Sequence, residues 1–594
     1  MTEHVKSFRL KNPSLRPAAL IVLGLVLTAC GGGGGSSSSA SSVAPNPTPA
    51  PVTANTKIND NAAAKDFLMR ASWGGSGEQV AGLVGTNAAD WLRAEMAKPP
   101  TNLVAMMKTE GSERTTTNQA HRKLWWDETL TGDADLRSRM VFALSQIVVC
   151  STGPGFNDLR DAKRMTAYLD TLSEHAFGNY RDLLEAVTYS PQMSDFLTYR
   201  VNYPESADGT RKPDENYARE IMQLFSIGLV ELNADGTVKT GSDGAPIETY
   251  TNEDVQGLAR VFTGFSYKDT GGRFWQTPDD DTLYGPLEIW PNFHSGREKT
   301  FLGHTVPAGT SGEESVKQAI DTIFAHPNVA PFVSGRLIQR FTASSPSSDY
   351  VGRVAAAFEA GRYTTNTGER FGTGERGDLA ATLAAVLLDP QFFDDIAPGP
   401  QDGKIREPIL RWAHWAKATE VENLEGSNEW HVFNNMSREQ RGLSQGAFQS
   451  PSVFNFYTPG YRAAGSASAQ AGLDAPELQL VTEGTLRGYY DYMFDFVVDS
   501  TPTFDDTKDT FTATYPALRA LADDPEAMVN WLEASLISGN FEPTTRQRMI
   551  DAISLQPLRD NRFDADLGLD TDRYSRAKIA TYMAVTSHEF GMQY

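Results

Sequence analysis

The sequence predicts a mainly α protein, one large multi-helical body with small β-hairpins and long aromatic-rich loops. Three observations lead there. Apolar residues recur at three- and four-residue spacing in segment after segment, the mark of a helix with one buried face. Start and stop signals bound these segments: Thr251-Asn-Glu-Asp254 reads as a capping box, and Ser190-Pro191 stops the helix before it. Strand-like alternation is short. It is clearest from Leu229 to Lys239 around Asp235-Gly236 and reads as a hairpin.

Taken in order, the chain opens on Lys6, Arg9, Lys11 and Arg16, followed by the apolar run Ala18 to Leu27 and then Leu27-Thr-Ala-Cys30. This has the form of a lipoprotein signal over residues 1–29, cut before Cys30, whose thiol then carries diacylglycerol with acyl chains such as palmitate. An ordinary secretory signal with a coincidental cysteine is the competing reading. The apolar run is too short for a comfortable membrane span, so the expected attachment is the lipid. Gly31 after the cysteine is similar to Gram-negative lipoproteins sorted to the outer membrane, which sets the expected location at the cell envelope. Residues 30–57 are Gly, Ser, Ala, Pro and Thr with almost no large apolar side chains. They cannot offset the entropy of ordering and read as a tether spanning roughly 30 Å as a flexible coil.

Residues 58–594 read as a single large helical domain. Helices are expected at 62–71, 88–97, 118–129, 136–150, 158–175 and 179–189, then at 251–262, 313–325, 329–341, 350–360, 378–388 and 405–417. The tail adds helices near 526–538, 544–554 and 573–587. Two long loops interrupt the pattern: 264–310, with Phe274, Trp275, Tyr284, Trp290 and Phe293, and 448–461. Their aromatic content argues against disorder, and loops of that length in a compact body are usually functional.

The stretch Pro213 to Gly228 has two distinct faces. Tyr217, Ile221, Leu224 and Phe225 form a core-facing stripe. Asn216, Arg219, Glu220 and Gln223 share a second arc, with Glu215 beside it, four residues before Arg219. A helix with a full apolar stripe usually fills its polar side with Lys and Glu. Acid, amide and guanidinium together suit either a cleft lining or a hydrogen-bond network between helices.

Composition excludes several function classes. The full chain carries a net charge of −22, and removal of residues 1–29 with their four basic residues and Glu3 leaves 49 basic and 74 acidic residues, near −25. That charge opposes nucleic acid and anionic membrane as partners, and no nucleic acid is expected. With Cys30 acylated, Cys150 has no disulfide partner, and its apolar surroundings suit an inert buried thiol. Nine scattered histidines with no His-x-x-x-His give no metal site. There is no Gly-x-Ser-x-Gly elbow and no Walker loop. Gly372-Thr-Gly-Glu-Arg-Gly377 fits dinucleotide spacing by letter but follows a polar stretch, so it reads as a loop and no cofactor is expected. Trp412, His414 and Trp415 read as core. Arg406 and Glu407 read as an exposed first-turn pair of little stabilising value, or as partners of the polar stripe.

Several stretches together resemble the family catalogued as domain of unknown function 1800. They are Glu215-Asn-Tyr-Ala-Arg-Glu220, Tyr250-Thr-Asn-Glu-Asp254, Leu258-Ala-Arg-Val-Phe-Thr-Gly264, His294 with Lys299-Thr-Phe-Leu-Gly303, Lys404-Ile-Arg-Glu-Pro408 and Ser450-Pro-Ser-Val-Phe-Asn-Phe-Tyr457. The resemblance implies a largely helical exported protein, often with a neighbouring gene for another exported family, domain of unknown function 1501. It implies no established activity. Many members have Asp after the His of the His-to-Lys stretch, where this chain has Ser295.

Two functional readings follow. In the first, an envelope lipoprotein binds or modifies an extracellular polymer such as a polysaccharide through a cleft lined by the 215–223 stripe. Glu215, Glu220, Arg219 and His294 would then be the acid, base and charge groups of a hydrolase-type reaction. Asn216, Gln223, Lys299, Trp275 and Trp290 would contact substrate, and Cys30 would hold the lipid anchor. In the second, the same residues form a structural network and the protein is a non-catalytic scaffold or secretion partner of a neighbouring exported protein.

Overall fold

The computed structural model describes residues 56–109, 118–153, 158–268, 270–393, 403–423, 436–499, 511–559, 563–564 and 569–594. The expected signal segment 1–29, Cys30 and most of the tether lie outside the described residues. Among the described residues the chain forms 22 α-helices and only two-stranded antiparallel sheets, a mainly α fold. No described helix is long and apolar enough to cross a membrane.

The core is built on tryptophans that the helical periodicity turns inward. Trp125 and Trp126 meet at 4.7 Å between ring centroids. Trp412 meets Trp126 at 5.3 Å, and Phe448 closes on Trp125 at 4.9 Å. These offset and edge-to-face contacts suit the ring quadrupoles and add to the area buried. Trp412, His414 and Trp415 are fully buried, as the core reading requires.

Helix ends follow their caps. In helix Asn252–Ala259, Thr251 and Asp254 form the expected capping box, and the second oxygen of Asp254 accepts the Leu302 N–H at 2.7 Å. That bond ties the helix to the hairpin Lys299–Phe301 and His304–Val306, which the sequence left within a loop. The two pack so closely at Gly257 that an added Cβ would lie 1.7 Å from the Thr300 carbonyl oxygen. The rest of segment 264–310 is also ordered, with Phe265–Ser266 pairing with Glu288–Ile289 and Phe274 stacked on Phe293 at 4.1 Å.

Four expectations need correction. The helix expected at 136–150 is Asp135–Ser145, because the chain turns at Gln146, whose side chain bonds Glu407. Ser190-Pro191 both stops one helix and starts another, Pro191–Phe196, since proline is tolerated where no N–H is needed. A short helix, Gly77–Leu83, was missed although Ser76 and Gln79 form a capping box. Lys404–Ile405 are not helical: they pair antiparallel with Met592–Gln593, and the helix there is Pro408–Ala418. The expected hairpin continues into a third segment, with Leu232 bridging Val238 and Val230 bridging Glu248.

Candidate functional site

Helix Asn216–Gln223 starts where Asp214 Oδ1 accepts the Asn216 N–H at 2.8 Å. Beyond it the chain turns at Gly228, whose φ of +73° is left-handed and whose N–H reaches the Met222 carbonyl at 3.0 Å. On the core side Tyr217 stacks on Tyr199 at 4.2 Å and shares a 2.8 Å hydroxyl bond with Thr188. That anchoring fixes the rotation of the helix and turns the polar stripe outward. Glu215, Asn216, Arg219 and Gln223 are half-buried, and Glu220 is buried. The expected pair forms, with Arg219 Nη2 donating to Glu215 Oε2 at 3.3 Å. Tyr250 donates to Gln223 Oε1 at 3.1 Å. Glu220 Oε2 is buried without a hydrogen-bond partner. Burial raises its pKa, and the Arg219 charge opposes that rise.

His294 belongs to a different group. Its Nδ1 lies 3.0 Å from the Thr263 carbonyl, and its Nε2 is buried without a partner. Burial lowers its pKa, with Lys299 adding to the effect, so it is neutral at pH 7. Beside it Glu205 accepts from Ser295 at 2.9 Å and pairs with Arg297 at 3.1 Å and Arg260 at 3.4 Å. Lys299 is fully buried, donates to the Arg297 carbonyl at 3.2 Å, and has a pKa lowered mainly by burial. Gly264 permits this arrangement: at φ +86°, a Cβ there would lie 3.0 Å from the His294 nitrogen. No hydrogen bond or ion pair joins the Glu220 group to the His294 group. Trp290 donates to the Tyr267 carbonyl at 3.2 Å and packs near Phe274, whereas Trp275 is 63% exposed.

The polar stripe leads to a cleft through its last residue. Gln223 and Leu224 line a cavity of about 340 Å³, with Gln146, Phe332, Arg336, Arg340 and the 453–460 segment of the second aromatic loop completing its walls. Tyr457 is buried and Phe454 is 51% exposed on this loop. The lining contains two arginines and no carboxylate. Sequence reading missed these arginines. The available signal was a basic pair four residues apart within the otherwise apolar helix Val329–Phe341.

Beneath the cleft is a buried charge network. Arg340 Nη1 bonds the Tyr457 hydroxyl at 2.5 Å. Gln146, in the cleft wall, donates to Glu407 Oε2 at 2.7 Å. Lys404 is 2.5 Å from Glu477 and 3.9 Å from Glu407. Burial works against the Glu407 charge, but Lys404, Arg340 and Arg139 outweigh it and hold its pKa below the ordinary value. The expectation of an exposed Arg406–Glu407 pair is therefore overturned. Both residues are buried, and Glu407 serves this network rather than the 216–223 stripe. The C-terminal strand holds the network in place by pairing Gln593 with Lys404.

A second, larger cavity of about 620 Å³ is lined by Asp170, Glu174, Tyr189 and Tyr284. Its Asp170 already accepts two backbone bonds, from Leu103 at 2.8 Å and Val104 at 2.9 Å. Those bonds make it a helix cap. Among the described residues no group of acids, histidines and cysteines can hold a metal ion.

No curated protein and no solved structure matches this chain. A family model does, over residues 66–592, and on that match the chain belongs to the DUF1800 family, whose description is a protein of unknown function.

Proposed function

We propose that this protein is an envelope lipoprotein, anchored through Cys30 to the outer membrane, that binds an extracellular polysaccharide in the cleft beside helix Asn216–Gln223. The observation that carries the reading is the cleft itself. Its 340 Å³ lie within the range of ligand sites, and it combines amides at Gln146, Gln223 and Asn455 with the rings of Phe332, Phe454 and Tyr457. Sugars present an apolar C–H face beside hydroxyls that both donate and accept, and rings next to amides complement both. Binding is favoured over cleavage because the described cleft lining holds no carboxylate and no histidine to act as acid or base.

The test is thermal melting of the full-length protein in detergent against a panel of oligosaccharides, with Phe454→Ala as the comparison. Phe454 is half-exposed, so its truncation leaves the core intact. A glycan that raises the melting point of the wild type and not of Phe454→Ala supports the reading. No shift with any glycan refutes it. The second reading, a scaffold for an exported partner protein, draws on Leu229, Val238 and Ile247, which are 56%, 46% and 37% exposed on one folded-back segment.

A further inference from the structure

We propose that the ligand of this cleft carries a carboxylate, and that it is a polysaccharide in which a hexuronic acid is spaced by neutral sugars, its carboxylate seated on Arg336. This rests on the reading of the cleft as a polysaccharide site and names the sugar chemistry it selects.

Arg336 is half-buried in the cleft wall with no carboxylate in ion-pair distance among the described residues. Its one hydrogen bond is from Nη1 to Gln339 Oε1 at 2.8 Å, and its guanidinium lies over the Phe332 ring at 4.9 Å. The remaining N–H groups of the fork have no partner among the described residues. The acid that faces it electrostatically, Asp474, is already paired with Arg462 at 2.7 Å. Burial, with Arg340 adding to it, lowers the Arg336 pKa to about 10, as expected for a cation lacking a counter-charge. One turn along the helix, Arg340 is 2% exposed and its Nε is buried without a partner. With Asp474 taken up by Arg462, the described residues of wall and floor place Arg139, Arg336, Arg340 and Lys404 against Glu407 and Glu477, an excess of positive charge.

A planar guanidinium fork placed over an aromatic ring matches the two oxygens of a carboxylate. The flanking Phe332, Leu224 and Phe454 suit the apolar face of the same sugar ring. The net charge of −22 repels a densely charged polyanion, and at physiological ionic strength this repulsion is screened beyond roughly 8 Å. Isolated acidic residues in a neutral chain satisfy both conditions.

Calorimetric titration of the full-length protein in detergent tests this with two probes. One is a xylo-oligosaccharide bearing a single glucuronic acid, and the other is the same oligosaccharide with that acid reduced to glucose. The acidic probe is expected to bind at least about tenfold more tightly, the scale of a charge-assisted hydrogen bond. Arg336→Gln should abolish that preference, so that the two probes bind alike, and Arg336→Lys should restore part of it. Equal affinity of the wild type for the two probes overturns the carboxylate assignment and leaves the polysaccharide reading standing. Binding of neither probe overturns the uronic-acid assignment, and the melting panel of oligosaccharides then decides the polysaccharide reading by itself. A preference that survives in Arg336→Gln removes Arg336 from the site. The wild-type comparison needs no variant, so it stands even if Arg336→Gln fails to fold.

Discussion

Replacing Glu407 with glutamine keeps the shape of the network beneath the cleft and removes its charge. Glu407 is fully buried, and its Oε1 lies 3.9 Å from Lys404 Nζ. At that separation, with an effective dielectric near 20, the attraction is about 4 kcal/mol. A glutamine can still accept from Gln146 and Gln445 through its oxygen, but its amide nitrogen then faces Lys404. Lys404 keeps Glu477 at 2.5 Å and burial opposes the Glu407 charge, so about 4 kcal/mol is the upper bound of the expected loss. A body of about 500 residues unfolds with an entropy near 1 kcal/mol/K, so the melting temperature should fall by up to about 4 °C. The pH dependence has a definite sign. The folded-state pKa of Glu407 is depressed, so its contribution is fully present above the unfolded value near 4.3 and is lost as the pH falls through the folded value. Differential scanning calorimetry should therefore find the gap between wild type and Glu407→Gln complete at pH 7 and shrinking below about pH 4. A gap of less than about 1 °C at pH 7, or one independent of pH, would refute the network argument.

The remaining predictions concern other parts of the body. Glu220 has its pKa raised, so the stability of its protonated form is present below the unfolded value and lost as the pH rises through the folded one. Glu220→Gln should thus gain on the wild type between pH 4.5 and pH 8 in thermal melts, and an equal deficit at both pH values would count against this. Gly257→Ala places a methyl 1.7 Å from the Thr300 oxygen, and strand and helix must separate. Its cost should be at least about 3 kcal/mol in denaturant titration, and a loss below about 1 kcal/mol would show that the contact yields cheaply. Cys150 is buried and burial raises its thiol pKa, so iodoacetamide followed by peptide mass mapping should find it unmodified in the native protein and alkylated after denaturation.

The helical class, most helix boundaries and the two faces of the 216–223 helix were legible in the chain alone, because these depend on neighbours three and four residues away. Tyr217 buried, Arg219 paired with Glu215 and Thr251 capping with Asp254 are all local outcomes of spacing. The inert Cys150 and the core tryptophans were legible for the same reason. Which polar groups share a site depends instead on packing between elements. Glu407 looked like an exposed first-turn residue because nothing near it in sequence reveals that Gln146 and Gln445 close over it. Arg336 and Arg340 sit in an apolar helix whose periodicity announces core, and their role as cleft wall depends on a loop more than a hundred residues later. His294 and Glu220 carried the right chemistry for a reaction, but the close approach at Gly264 fixed His294 beside Thr263 and Lys299 instead. Periodicity fixes what a residue does to its own element. Charges and hydrogen bonds between elements depend on contacts distant in sequence, which no local pattern encodes.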